Sequence, residues 1–199
     1  MLDLFLRKGA DHRLRGGHLW VYSNEVDTAR SPLQSFAAGD LVGVRNTNGR
    51  LLGSAYMEPN SLICARLYAP DQQRPLDAPL FSERLSAALA ARQHVFDKPF
   101  YRLVYGDSDL LPGLIIDRFG DVLVMQLNNS GLERYREPLL QAMVAMLSPR
   151  GVLLRADSRS RREQGLPTDS EVVHGEVPLQ VPLEENGVHF HAPVFEGQK

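Results

Sequence analysis

Hydrophobic and polar positions alternate at the start of the chain through Leu2, Leu4 and Leu6, the period of a β-strand. Three further apolar runs follow at close spacing, at 41–46, 51–56 and 63–68. The first two are separated by Asn48-Gly49, a strong hairpin signal, and the third follows a turn at 58–61. Short strands with turn signals and no helical period predict a small β-barrel or pseudo-barrel over residues 1–70. Residues 69–79 hold three prolines in eleven positions and mark a boundary. Beyond it Phe81, Leu85, Ala88, Leu89, Val95 and Phe96 recur at intervals of three to four, predicting an amphipathic helix over 80–96 with Pro79 near its first turn.

The second half reads as strand, hairpin, helix, strand, hairpin. A strand at 101–105 leads into apolar runs at 114–116 and 122–127, joined by Gly120-Asp121 and approached through a Pro112-Gly113 bend. Ser130 and Glu133 have capping-box spacing and open a helix carrying Tyr135, Leu139, Met143 and Leu147. Pro138 either kinks that helix or marks where its regular part begins. A buried-type strand at 151–157 comes next. The tail then alternates through Val177, Leu179, Val181 and Leu183, turns at Asn186-Gly187, and alternates again through Val188, Phe190 and Ala192. The fold class is therefore α+β, with domains expected at 1–70 and 100–199 and a linker with bridging helix at 71–99.

Charge adds two basic stretches to this picture. The net charge of −2 argues against a globally basic nucleic-acid binder, so any such contact has to be local. Between positions 7 and 20, Arg7, Lys8, Arg13 and Arg15 face only Asp11, next to His12, His18 and Trp20, the only tryptophan. Cations beside an aromatic ring suit phosphate contact with base stacking, and the same composition fits a solvated loop with Trp20 in the core. Arg150, Arg155, Arg159, Arg161 and Arg162 fall within thirteen residues, a second candidate phosphate contact or a solvated loop partly neutralised by Asp157 and Glu163.

Other chemistry is sparse. Asp107, Asp109 and Asp117 crowd the start of the central hairpin, where turn hydrogen bonding competes with a metal or acid–base role. His189 and His191 share one face of the last strand without a further ligand cluster, which makes them surface residues rather than metal ligands. The single cysteine, Cys64, excludes an internal disulfide framework and lies within a predicted strand as a core residue. No run of 18 apolar residues exists, and the first residues charge too soon for a signal peptide, so a cytoplasmic protein without a membrane span is expected.

Several blocks occur in an order that carries a resemblance: GGHLWVYSNEV, GD, NSLICARL, DAPLFSERLSAALAAR, DSDLLPGLIIDRFGDVLVMQ, RRE with GLP, and ENGVHFHAPVFEGQK. Together they resemble bacterial class I methyltransferases that use S-adenosylmethionine on ribosomal RNA, most of all the 23S rRNA cytosine-5 enzymes. The resemblance spans essentially the whole chain and implies an N-terminal PUA domain and a central strand-strand-helix-strand-strand (EEHEE) domain. It also implies a catalytic Rossmann-like domain that would follow the final GQK and is absent here, together with its nucleophilic cysteine. No glycine-rich cofactor turn follows a strand in this sequence.

In the parent enzyme that cysteine would add to ring carbon six of cytosine, activate ring carbon five toward the methyl sulfonium, and leave after proton removal. Cys64, in an RNA-binding domain, would not take that part, so no catalytic residue is expected in this chain and no activity from it alone. The RNA contacts expected are Arg7, Lys8, Arg13, Arg15, His18 and Trp20, with Arg159, Arg161 and Arg162 as a second set. The expected partner is ribosomal RNA, and a homodimer is left open. Two other readings stay open: a stand-alone RNA-binding or interaction module, and a small metal hydrolase built on Asp107, Asp109 and Asp117 with His189 or His191.

Overall fold

The structure, a computed structural model, describes residues 1–185 and 187–196. It divides into two compact units, Met1–Asp77 with Ser130–Tyr135, and Ala78–Asn129 with the chain from Arg136 onward. The predicted turn residue Asn186 and the closing residues 197–199 lie outside the described residues.

The first unit holds β1 (Leu2–Phe5), the short helix α1 (His12–Arg15), β2 (Trp20–Tyr22), β3 (Leu41–Arg45), β4 (Leu51–Met57) and β5 (Ile63–Pro70). Its five-stranded sheet has the order β1-β3-β4-β5-β2. The β1–β3 pair is parallel, with Leu4 opposite Val44, and the other pairs are antiparallel. The ladder does not close into a full barrel. Its two ends are tied by one antiparallel bridge, Leu6 to Val26, with Arg7 N donating to Glu25 O at 2.9 Å and Asp27 N to Phe5 O at 2.9 Å. The Asn48-Gly49 signal forms the β3–β4 turn, where Asn46 Oδ1 accepts from the amides of Asn48 and Arg50, both at 3.0 Å.

The second unit begins with α2 (Ala78–Gln93), which buries Leu80, Phe81, Leu85 and Ala88 against later helix and strand residues. Each buried Leu or Phe contributes about 1.5–3 kcal/mol of transfer free energy. The helix ends before Val95 and Phe96, which the spacing had included. Val95 is exposed, and Phe96 stacks on Tyr101 at 5.4 Å between ring centroids.

Strands β6 (Phe100–Tyr105), β7 (Leu114–Phe119) and β8 (Val122–Leu127) follow, then the helical turn α3 (Ser130–Glu133), α4 (Arg136–Leu147) and β9 (Gly151–Leu154). The short helix α5 (Arg159–Glu163), β10 (Glu171–Gly175), β11 (Val181–Glu185) and β12 (Val188–Ala192) complete the order. The main sheet of this unit runs β10-β9-β8-β7-β6, so three strands precede the crossover helix and two follow it. β8 and β9 are parallel, as a helical crossover through α4 requires.

Pro138 is the third residue of α4, where its missing N–H costs nothing because first-turn amides have no intrahelical acceptor. The helix therefore begins near the proline and is not kinked by it. Gly113, in the bend before β7, has φ +80°, and a Cβ there would meet Asn129 Nδ2 at 1.8 Å, so any other residue would be strained and would have to displace the Asn129 side chain. The β11–β12 hairpin covers a core of Val122, Val124, Leu153, Val181 and Val194. Two elements differ from the expected pattern. Val177 and Leu179 precede β11 and are not part of it, whereas 171–175 forms β10 although its adjacent valines do not alternate with polar residues.

Between β8 and α4 the chain returns to the first unit for Ser130–Tyr135. Gly131 is buried there, where a Cβ would lie 2.4 Å from Tyr56 Cδ2 and 2.9 Å from Met57 O. Tyr135 donates its hydroxyl to Gly39 O at 2.6 Å, and Arg134 pairs with Asp40 at 3.0 Å.

Candidate nucleic-acid interface

β2 is an edge strand of the first sheet, and its period of two turns Val21 inward, fully buried, while Trp20 remains 36% exposed. Trp20 is thus not a core tryptophan. Each exposed-side aromatic of this strand carries a guanidinium: Arg13 stands 4.6 Å from the centroid of Tyr22, and Arg66 5.7 Å from that of Trp20. Arg66 is directly opposite Trp20 in the β2–β5 ladder, which brings it to the same sheet face.

The expected cations are held in different ways. Arg13, at the middle of α1, binds Glu25 through Nε and Nη2, both at 3.2 Å, and donates from Nη2 to Trp20 O at 3.0 Å. Glu25 also accepts from Tyr22 N at 2.8 Å, so this pair fastens α1 to the edge strand. Arg15 pairs with Asp11 one helical turn away at 2.5 Å. Arg7 is exposed and donates from Nε to Val26 O at 3.0 Å; Lys8 and His18 are exposed. Neither Arg7 nor Lys8 makes an ion pair among the described residues.

In the sequence Arg66 is marked only as part of a predicted strand. Its Nε donates to Glu58 Oε2 at 2.7 Å, and the side chains of Arg66 and Glu58 are 15% and 1% exposed. The other oxygen, Glu58 Oε1, is buried without a hydrogen-bond partner among the described residues. Tyr22 could have been found from its i+2 relation to Trp20. Arg66 and Glu58 could not, because the pairing that brings them to Trp20 is made across strands.

The second arginine set belongs to the second unit and divides. Arg161 is 1% exposed, donating from Nε to Pro167 O and from Nη1 to Leu127 O, both at 2.9 Å. It joins a loop to β8 and presents no surface to a nucleic acid, contrary to its expected role. Arg155 is likewise buried, holding Val194 O at 3.0 Å and Asp157, whose carboxyl it keeps below the usual range. Arg162 is exposed, and Arg159 is exposed beside Glu163 in α5, whose N-cap Ser158 accepts from Arg161 N at 3.3 Å.

The aspartates are structural. Asp109 takes Arg92 in a fork at 2.6 and 2.7 Å and accepts from Tyr105 N at 2.6 Å, closing the turn after β6. Asp117 takes Arg102 at 2.8 Å, which raises the guanidinium's pKa. Among the described residues no group of three or more His, Cys, Asp or Glu side chains could hold a metal ion; His189 and His191 are exposed on β12. Burial pushes the Cys64 thiol up to about 12, which leaves it a core group and not a nucleophile. No helix among the described residues is long and apolar enough to cross a membrane.

The chain is 34% identical over 198 residues to Ribosomal RNA large subunit methyltransferase I of Shewanella denitrificans, an alignment covering 98% of this chain and 49% of the relative. Its similarity to the protein of the same name from Aliivibrio fischeri is 33% over 202 residues, covering 100% of this chain and 50% of the relative. The chain thus spans about half the length of the curated relatives it matches. A solved structure from Streptococcus mutans, described as a candidate SAM-dependent methyltransferase, superposes with TM-score 0.79 at 20% identity, over 99% of this chain and 50% of that one. A candidate methyltransferase complexed with SAH gives 0.80 at 20% identity, over 100% and 49%; at this identity both establish likeness of fold. Residues 4–70, the sheet that carries Trp20, Arg66 and the α1 cations, match the PUA-like domain family.

Proposed function

We propose that this chain is the RNA-recognition half of an S-adenosylmethionine-dependent methyltransferase that modifies ring carbon five of a cytosine in 23S ribosomal RNA in the cytoplasm. The observation that carries the reading is the alignment over nearly the whole chain to rRNA methyltransferases about twice its length. The PUA-like domain supplies the RNA contact, through Arg7, Lys8, Arg13, Arg15, His18 and Trp20, with Arg159 and Arg162 adding phosphate contacts from the second unit. Cys64, the sole cysteine, is buried with a raised pKa and is not available as the thiolate nucleophile, and the sequence lacks a glycine-rich cofactor turn. Methyl donor and chemistry therefore belong to the remainder of the parent, and this chain alone binds RNA without methylating it.

Two measurements test this. About four neutralised phosphates from the N-terminal patch give a log K against log salt slope near −2.8 on single-stranded 23S rRNA fragments. Changing Arg7 and Lys8 to alanine, the two cations without carboxylate partners, flattens it by roughly 1.4. No binding at low salt, or methyl transfer by this chain alone, contradicts the assignment. For the base, mass spectrometry of 23S rRNA from cells lacking the gene should show one 5-methylcytidine lost; an unchanged 5-methylcytidine content rejects the cytosine reading.

A further inference from the structure

We infer that Trp20 and Arg66 form a binding site for a single unpaired ribonucleotide, whose base stacks on the Trp20 ring while an oxygen of the same nucleotide takes the Nη fork of Arg66. The inference rests on the reading of this half as an RNA-recognition module and adds where, and in what conformation, RNA is read.

The argument begins with how Arg66 is anchored. Among the described arginines in tight ion pairs, Arg13, Arg45, Arg92, Arg102 and Arg155 each spend at least one Nη on a protein oxygen, and Arg159, which like Arg66 bonds through Nε, holds an exposed carboxylate rather than a buried one. Arg66 bonds through Nε alone, and its Nη nitrogens make no hydrogen bond among the described residues. They are not among the buried nitrogens without partners, so they reach solvent. A guanidinium gripped at its inner edge presents its outer edge, two parallel N–H donors that match a phosphate or a base-edge oxygen.

Its position is also fixed. Glu58 is 2% exposed, and the only hydrogen bond of its carboxylate among the described residues is the one from Arg66. Withdrawing Arg66 would strand a buried charge, so the arginine is preorganised. Register then does the rest: Arg66 opposite Trp20 holds the guanidinium carbon over a ring that is 36% exposed, 5.7 Å from its centroid. A stacking surface next to a fixed fork recognises one splayed-out nucleotide, and a paired base offers no free face to it.

Because Trp20 is the only tryptophan, its emission reports this site alone. Titration of the chain with a single-stranded oligoribonucleotide of 23S sequence should quench that emission saturably, and the same strand in duplex should not. Anisotropy of labelled RNA gives the affinity independently. Trp20→Ala should weaken single-strand binding roughly five- to hundredfold. Arg66→Lys keeps the charge but loses the fork, and should weaken binding about tenfold or more while leaving the thermal midpoint and salt slope near wild type. Glu58→Gln keeps an acceptor for Nε and should retain the quench, whereas Glu58→Ala should lose it. RNA binding without a change in tryptophan emission, and with Arg66→Lys neutral, overturns this site and leaves the RNA-recognition reading standing. Absence of any RNA binding overturns both.

Discussion

Arg161 and Arg162 are neighbours in one basic run, yet the first is buried and the second exposed, so on the proposed function alanine at each should separate folding from binding. Arg161→Ala deletes the donors to Pro167 O and Leu127 O and empties the volume of a side chain 1% exposed. Each carbonyl left unsatisfied costs about 1–3 kcal/mol, and the vacated space adds to that, so the loss should be about 3–5 kcal/mol. For a unit of this size that lowers the unfolding midpoint by on the order of 10 °C. Arg162→Ala, at an exposed site, should change stability by less than about 0.5 kcal/mol. It should instead flatten the salt slope of RNA binding by about 0.7, the share of one phosphate on a single strand. Denaturant unfolding gives the first pair of numbers, and binding well below the transition gives the second. A stable Arg161→Ala variant with weakened RNA binding would refute the assignment, because it would mean that the guanidinium leaves its carbonyls for the ligand.

Two further perturbations probe the first unit. Gly131→Ala forces a Cβ to within 2.4 Å of the buried Tyr56 ring and should cost about 1–3 kcal/mol in thermal unfolding; an unchanged midpoint would show that the close packing relaxes freely. Cys64 should resist iodoacetamide at pH 8 in the folded protein and react once unfolded. The unfolded thiol ionises near 9 while the folded thiol holds its proton to about 12, so the folded state binds more protons in that window and stability should fall as pH rises through it. Rapid alkylation of the native protein would contradict the burial.

What the sequence made legible was whatever is local. The β7–β8 hairpin and the β3–β4 turn follow from alternation bounded by Gly120-Asp121 and Asn48-Gly49, and the α4 start follows from Pro138. The parallel docking of β1 on β3 leaves no local trace, since no turn joins the two. Arg161 shows why charge patterns mislead. A guanidinium can be buried when backbone carbonyls satisfy it, and composition does not say which way a residue of a five-residue helix points. The proposed interface is half readable for the same reason: Trp20 and the α1 cations are contiguous, whereas Arg66 and Glu58 reach them through strand pairing.

The return of Ser130–Tyr135 to the first unit has a consequence during synthesis. Residues up to Asp77 leave the ribosome before the segment that supplies the Tyr135 bond to Gly39 and the Arg134 pair with Asp40 has been made. At about 5–20 residues per second, the nascent sheet waits roughly 3–12 s for that segment. During that interval the face of Tyr56 that Gly131 covers is open to chaperones and to neighbouring nascent chains.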